Sequence, residues 1–267
     1  MSDNTSTQVR HVVMFSGGVG SWATASRVVA EHGPDAVTLL FADTLVEDDD
    51  TYRFLHEATD QLGAHLEVVT DGRTPFGVFR DRRWIGNSRL AHCSEELKIK
   101  PCRRWMEANA ADDCTLYVGI DWTELHRLAA VERGWQPWTV RAPMAEPPYI
   151  AKTAMLDQLK ATGIQLPQGY AENFPHNNCL AQGCVKGGKT YWAHLLKTRP
   201  EVYASTEAEE QGLRDHLGVD STILTETVDG EERTLPLSDL RQRIEAESEA
   251  QPEFDWGGCG CFVEEAA

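Results

Sequence analysis

Three kinds of residue in this 267-residue chain have types and spacings that can do chemistry. Glycines and serines come first. Ser16-Gly17-Gly18-Val19-Gly20-Ser21 follows the apolar run from His11 to Phe15, which reads as a strand, and precedes a helical pattern over residues 21–32. A strand, a Ser/Gly turn and a helix make an anion site: glycine lets backbone N–H groups approach a phosphate, and the helix start adds unpaired N–H donors and the positive end of its dipole. Ser16 and Ser21 add hydroxyls. The loop lacks the Lys-Ser/Thr ending of a Walker A motif and the three-glycine spacing of the dinucleotide fingerprint. Charged residues at strand ends come next. Phe41-Ala42-Asp43-Thr44 closes a second predicted strand, where Asp43 suits Mg²⁺, a ribose hydroxyl or a simple cap. Gly119 opens a segment carrying Glu124 and Arg127, three apart on one helical face. Arg127 suits a phosphate or sulfate oxygen, or an ordinary ion pair with Glu124.

Seven cysteines, an odd number with no secretory signal before them, argue against a disulfide framework. They are Cys93, Cys102, Cys114, Cys179, Cys184, Cys259 and Cys261; thiols, metal ligands or redox groups remain open, and Cys114 reads as plain core.

The elements that must position these residues alternate. Strands are expected over 11–15, 36–41, 65–69 and 115–120, with another near 138–140; helices are expected over 21–32, 51–62, 123–132, 152–161 and 189–197. Strand runs separated by helices predict an α/β fold, a parallel sheet of about five strands with helices on both faces. Past Pro200 the character shifts to a helix over 206–217, a hairpin around Asp229-Gly230 and a polar helix from Ser238. The expected organisation is a nucleotide-binding domain over residues 10–200 and an appendage over 201–267 ending in the Cys259/Cys261 tail.

Apolar residues at 41% and charged residues at 25% are ordinary globular chemistry. A formal net charge of −17 disfavours a general nucleic-acid coat. The basic stretches Arg80–Arg83 and Lys98–Arg104 read as solvated faces or local patches. No stretch approaches a membrane span, so no membrane partner is expected and the cytoplasm is the default location.

The Ser16–Ser21 loop resembles the pyrophosphate-binding loop of the adenine-nucleotide alpha-hydrolase (PP-loop ATP pyrophosphatase) superfamily, which includes ATP pyrophosphatases, tRNA thiolation enzymes and the sulfonucleotide (APS and PAPS) reductases. Phe41–Thr44, with Thr51, Tyr52 and Phe54 after it, is similar to the second-strand motif of the reductase branch. So is the Gly119…Glu124…Arg127 stretch, and so is Cys93 followed by Lys98 and Pro101, with Gly169-Tyr170 leading to Cys179 and Cys184. The resemblance implies an adenine nucleotide, ATP with Mg²⁺, held by Ser16–Ser21 with its base near residues 41–44. It also implies a [4Fe–4S] cluster, or zinc, on Cys93, Cys179 and Cys184, with Cys102, His92, a tail cysteine or an outside ligand completing the set. Two reactions compete: adenylate-forming transfer to a small-molecule or nucleoside acceptor, and sulfonucleotide reduction by a tail thiolate. Asp43, Lys98, Arg127, Cys259 and Cys261 carry the chemical roles. Cys259 and Cys261 lack the Glu and His that flank the reductase nucleophile, which favours ATP-dependent activation. A non-catalytic nucleotide-binding protein is the third reading.

Overall fold

The computed structural model describes residues 8–246, apart from 178 and 219. Its first half is a run of strand–helix units: β1 (Val9–Met14), α1 (Val19–His32), β2 (Val37–Asp43), α2 (Asp49–Leu62), β3 (His65–Thr70), α3 (Pro75–Arg82), then α4 (His92–Ser94) continuing through a π-helical stretch, Glu95–Ile99, into α5 (Lys100–Asn109). After β4 (Ala110–Tyr117) come a 3₁₀ turn, Trp122–Arg127, α6 (Leu128–Gly134), β5 (Thr139–Arg141), α7 (Lys152–Ala161), α8 (Gln168–Ala171) and α9 (Lys189–Thr198). The chain then adds α10 (Pro200–Leu217), the β6 (Leu224–Val228) and β7 (Glu231–Leu235) hairpin, and α11 (Leu237–Ala246). Among the described residues no helix is long and apolar enough to cross a membrane.

The main sheet has five strands in the order β3-β2-β1-β4-β5, all parallel. Strand side chains alternate between its two faces, so each strand feeds two cores. Val13, Phe15, Leu39, Phe41 and Tyr117 pack with α1, α2 and α7 on one face. Val12, Met14, Leu40, Ala42, Leu116 and Val118 pack with α5 and α6 on the other. Strands buried on both faces read as continuous apolar runs, which is why Val12–Phe15 and Leu39–Ala42 contain no polar residue. Burying each of these large side chains contributes roughly 1.5–3 kcal/mol.

A third core lies beside the sheet. Phe76, Phe79 and Leu97 meet Trp192, Leu195 and Tyr203 there, together with Leu213, Ile223, Leu235 and Leu240. It runs across position 200 without a break, and Glu210 ties its parts together by accepting from the backbone N–H of Ile223 at 2.8 Å and of Leu237 at 2.7 Å. Burial raises the Glu210 pKa above the usual carboxylate value, partly offset by those two N–H groups.

Candidate functional site

Where the strand order reverses, between β1 and β4, a crevice opens at the carboxyl ends of the strands, the usual place for ligands in an open parallel sheet. The turn from β1 into α1 forms one wall. Gly17 sits at φ +76, and a Cβ there would lie 2.8 Å from the Thr51 methyl, so conformation and space both require glycine. Gly18 is the N-cap of α1; it offers no side-chain cap, and the first turn holds no acidic residue. The helix start is therefore left with its positive end uncompensated by its own side chains. Val19 N–H donates to the Tyr170 hydroxyl at 2.9 Å. The Ser21 hydroxyl turns back to the Gly18 carbonyl at 2.8 Å and lies 3.5 Å from the Ser16 hydroxyl.

Gly119 forms the opposite wall, and its smallness serves packing. A Cβ on Gly119 would sit 3.0 Å from Ser21 N, and one on Gly20 would sit 3.2 Å from Gly119 O. The end of β4 and the start of α1 thus meet backbone to backbone. Asp121 caps the 3₁₀ turn through the N–H of Thr123 at 2.8 Å. With three residues per 3₁₀ turn, Asp121, Glu124 and Arg127 fall on one face, and all three line the cleft. Arg127 is ion-paired with Glu124.

The far rim comes from distant sequence: Lys152, Tyr170, His176 and Asn177. Lys152 donates to the Pro175 carbonyl and its ammonium lies 5.5 Å from the centre of the Tyr170 ring. Asn177 Nδ2 donates to Gly17 O at 3.1 Å and Thr51 Oγ1 at 3.2 Å, fastening this loop to the glycine turn. His176 is pushed down to about 4, by burial first and then by Lys152 and Arg127, so its imidazole is neutral at pH 7. The cleft lining carries the Ser16 and Ser21 hydroxyls, the Arg127 guanidinium and the Lys152 ammonium, with the carboxylates of Asp121 and Glu124 beside them; the cations and hydroxyls suit an anion with several oxygens.

Across the glycine turn lies a second polar group, closed to solvent. Glu47 accepts from Thr44 Oγ1 at 2.9 Å and from Cys179 N–H at 2.5 Å, with the Cys179 thiol at 3.7 Å and Lys98 Nζ at 3.6 Å. The Lys98 and Glu47 side chains are 7% and 1% exposed. Cys184 is hydrogen-bonded to Cys179; that bond, burial and the Glu47 charge hold the Cys179 thiol well above its ordinary pKa. Cys93 and Cys184 pack against the third core, whereas Cys102, on α5, is fully buried against the sheet, its thiol pushed up to about 12 by burial. Among the described residues, no group of three His, Cys, Asp or Glu side chains is gathered to hold a metal ion. Cys259 and Cys261 lie outside the described residues.

The cleft brings together Ser16, Gly18, Gly20, Ser21, Gly119, Glu124 and Arg127 of the residues singled out in sequence. Gly17 and Val19 complete the turn behind it. Phe41, Asp43 and Lys98 are not in its lining. Phe41 is core, edge-on to Tyr52 at 6.3 Å. Asp43 Oδ1 accepts from Leu45 N–H at 2.8 Å and from the Tyr52 hydroxyl at 2.7 Å, so that oxygen already serves the β2–α2 turn. Sequence reasoning did not assign Lys152, Tyr170 or Asn177 to the site, nor Glu47 to Lys98. A glycine-tyrosine pair before the cysteine loop signals Tyr170; Lys152 carries no local signal, being one lysine at a helix start.

No family model matches the chain. An uncharacterized protein of Methanocaldococcus jannaschii is 29% identical over 125 residues, which is 44% of this chain and 24% of that protein. The chain thus spans about a quarter of the length of the curated relative it matches. Among solved structures, the phosphoadenylyl-sulfate (PAPS) reductase from Candida auris, a phosphate complex, is similar at TM-score 0.45 and 14% identity, over 64% of this chain and 80% of that one.

Proposed function

We propose that the chain is a nucleotide-binding enzyme that activates an acceptor with ATP, releasing pyrophosphate. The observation that carries this reading is the cleft at the β1–β4 reversal, where a glycine turn opening a helix shares its lining with Arg127 and Lys152. In the proposed step an acceptor oxygen attacks the α-phosphorus. A new P–O bond forms, the bond from the α-phosphorus to its bridging oxygen breaks, and pyrophosphate leaves with that electron pair; a sulfur or amine nucleophile then attacks the activated acceptor carbon, the bond from that carbon to the adenylate oxygen breaks, and AMP leaves with that oxygen. The turn N–H groups and Ser21 would hold the departing pyrophosphate. Arg127 and Lys152 would offset the charge that grows on it, an effect strongest where donors are already in place. Magnesium arriving with ATP would meet carboxylates at Asp121 and Glu124, which line the cleft, and not at Asp43; it would neutralise phosphate charge. His176, neutral at pH 7, can accept the acceptor's proton.

The test is anaerobic incubation with ATP and Mg²⁺ over a panel of nucleoside and small-molecule acceptors, following AMP and pyrophosphate, with Gly18→Asp as the blocked-cleft control. AMP with pyrophosphate, absent in the control, is expected. Release of ADP, or sulfite from APS or PAPS with a dithiol and no AMP from ATP, would overturn the proposal.

A further inference from the structure

Two large apolar side chains, Trp84 and Leu90, stand 41% and 38% exposed on one short stretch after α3. Both line a cavity of about 440 Å³ that shares no residue with the cleft. The lining comes from two stretches of chain. Residues 84–90 supply both of its apolar side chains, and residues 220–234 supply every hydroxyl, from Ser221, Thr222, Thr225 and Thr234. The hairpin register explains the second wall. Leu224 and Leu235 pair across β6 and β7 and sink into the third core. The next pair, Thr225 opposite Thr234, therefore points away from that core, with Glu232 two residues along β7 on the same face. Arg89 donates to Glu232 at 2.5 Å, which ties residues 84–90 to the hairpin.

Both walls stand on fixed backbone. Trp84 N–H donates to the Phe79 carbonyl at 3.1 Å, and Ile85 beside it is fully buried. A Cβ on Gly86 would lie 2.6 Å from the Phe79 ring, so the chain there rests directly on that ring. Asn87 Oδ1 accepts from the N–H groups of Arg89 and Leu90, each at 2.9 Å. On the other wall Asp220 accepts from Arg214 on one oxygen and from the Thr234 hydroxyl on the other, both at 2.9 Å.

The lining limits what can fill the cavity. Arg89 and Arg233 balance Asp220 and Glu232, so neither an anion nor a cation is selected. Small-ligand sites are mostly apolar; here the apolar part is one indole and one leucine, and the remainder is donors and acceptors. The matching ligand is neutral, with an apolar C–H face for the indole and hydroxyls for the rest. A pyranose ring has both. Arg89 and Glu232, held side by side, suit two neighbouring hydroxyls, one accepting from the guanidinium and the other donating to the carboxylate.

We propose that this cavity is a saccharide-binding site, in which Trp84 stacks on the C–H face of a pyranose ring while the Arg89–Glu232 pair, Thr225 and Thr234 hold its hydroxyls. The site stands apart from the reading of the cleft as a phosphate site.

The experiment is saturation-transfer difference NMR on the full chain with methyl glucoside, methyl galactoside, N-acetylglucosamine, maltose, cellobiose and adenosine. The wild type is compared with Trp84→Ala, Trp84→Phe and Glu232→Gln, with circular dichroism run on each. At least one saccharide is expected to bind saturably, with the strongest transfer to the C–H protons of one ring face. Trp84→Ala should weaken it at least about tenfold, Glu232→Gln about three- to tenfold, and Trp84→Phe less than about threefold. Pyrophosphate titrated into the same variants should change less than about twofold. Silence from every saccharide up to about 20 mM overturns the site, as does binding that persists unchanged in Trp84→Ala. If Trp84→Ala fails to fold, unchanged saccharide affinity in Glu232→Gln overturns it instead. Adenosine bound through Trp84 while every saccharide is silent would assign the cavity to a nucleoside and overturn the saccharide reading. An equal loss of pyrophosphate would do the same, because the variants would then be acting on the fold at large.

Discussion

The two polar groups flanking the glycine turn use similar residues in opposite ways. On the β4 side, Arg127 and Glu124 pair at the edge of an open cleft, with side chains 20% and 33% exposed. On the β2 side, Lys98 and Glu47 pair in near-complete burial, with Thr44 and the Cys179 N–H completing the carboxylate's partners. An exposed pair costs little to separate, so an incoming anion can take Arg127 from Glu124. A buried pair cannot be separated without stranding a charge, so it fixes structure. Asn177 joins the two sides, holding the glycine turn two residues before Cys179 reaches Glu47. One side is built to exchange partners and the other to keep them.

The sharpest way to break that contrast is to remove one buried partner. Glu47→Ala should destabilise the fold by about 3–5 kcal/mol, read from urea denaturation, because Lys98 would remain charged and buried without its carboxylate. The double variant Glu47→Gln, Lys98→Met should recover most of that loss. By contrast, Glu124→Ala should cost about 1 kcal/mol or less. Equal losses for Glu47→Ala and Glu124→Ala would erase the distinction between the two sides.

Next in size is the backbone contact at the cleft wall. Gly119→Val places carbon 3.0 Å from Ser21 N and 3.1 Å from Gly20 C, and neither backbone atom can yield as a flexible side chain would. Stability should fall by about 1–3 kcal/mol, as for other overpacking changes, and pyrophosphate affinity by at least about tenfold because the turn shifts. Gly212→Ala is the control: nothing lies within 4 Å of its added Cβ, it sits inside α10, and about 0.5–1 kcal/mol of stabilisation is expected. A smaller step is Arg127→Ala, which should weaken pyrophosphate by about tenfold with stability nearly unchanged, measured by calorimetry and thermal melting.

Much of the sheet and the turn was legible because its signals are local. The apolar run at β1, the glycines after it and the helix behind them sit within some 20 residues, and α7 over 152–161 follows from its own pattern of Met155 and Leu159. What escaped depends on distant partners. The Lys98–Arg104 stretch reads as a solvated basic face, yet the π-helical turn before α5 carries Lys98 inward to Glu47, and Arg103 donates to the carbonyls of Gly134 and Gln136 beside Trp135. Arg82 likewise belongs to Glu96, whose carboxyl burial alone would raise but Lys100 and Arg82 hold down to about 2. Helix α3 hides because Pro75 opens it and Gly77 interrupts it, with Thr74 supplying the cap. Past Pro200, Leu213, Ile223 and Leu240 share a core with Phe76 and Phe79 of α3, more than a hundred positions back, a pairing no local pattern carries.

The smallest expected effect concerns His176, which belongs to the exchanging side. Its folded pKa lies near 4, below the ordinary 6.5, because burial and two neighbouring cations oppose protonation. Between pH 6.5 and 4 the unfolded chain therefore takes up this proton before the folded one does, so stability falls as pH drops through that window and the effect levels off outside it. A bound anion reverses the balance by placing negative charge beside Arg127, Lys152 and the imidazole, which raises the His176 pKa toward its ordinary value. Binding in the cleft should then take up a proton and strengthen as pH falls from 6.5 toward 4. Sulfate is the suitable probe, since it remains a dianion across this range. Its affinity in the wild type should rise about three- to tenfold between pH 7.5 and 5, and calorimetry in buffers of different ionisation enthalpy should show proton uptake. In His176→Gln the pH dependence should flatten, and the variant should lose less stability than the wild type over the same interval. A wild-type sulfate affinity flat from pH 7.5 to 5 would show that no titrating group faces the anion, and would move His176 from the cleft's working set to its packing.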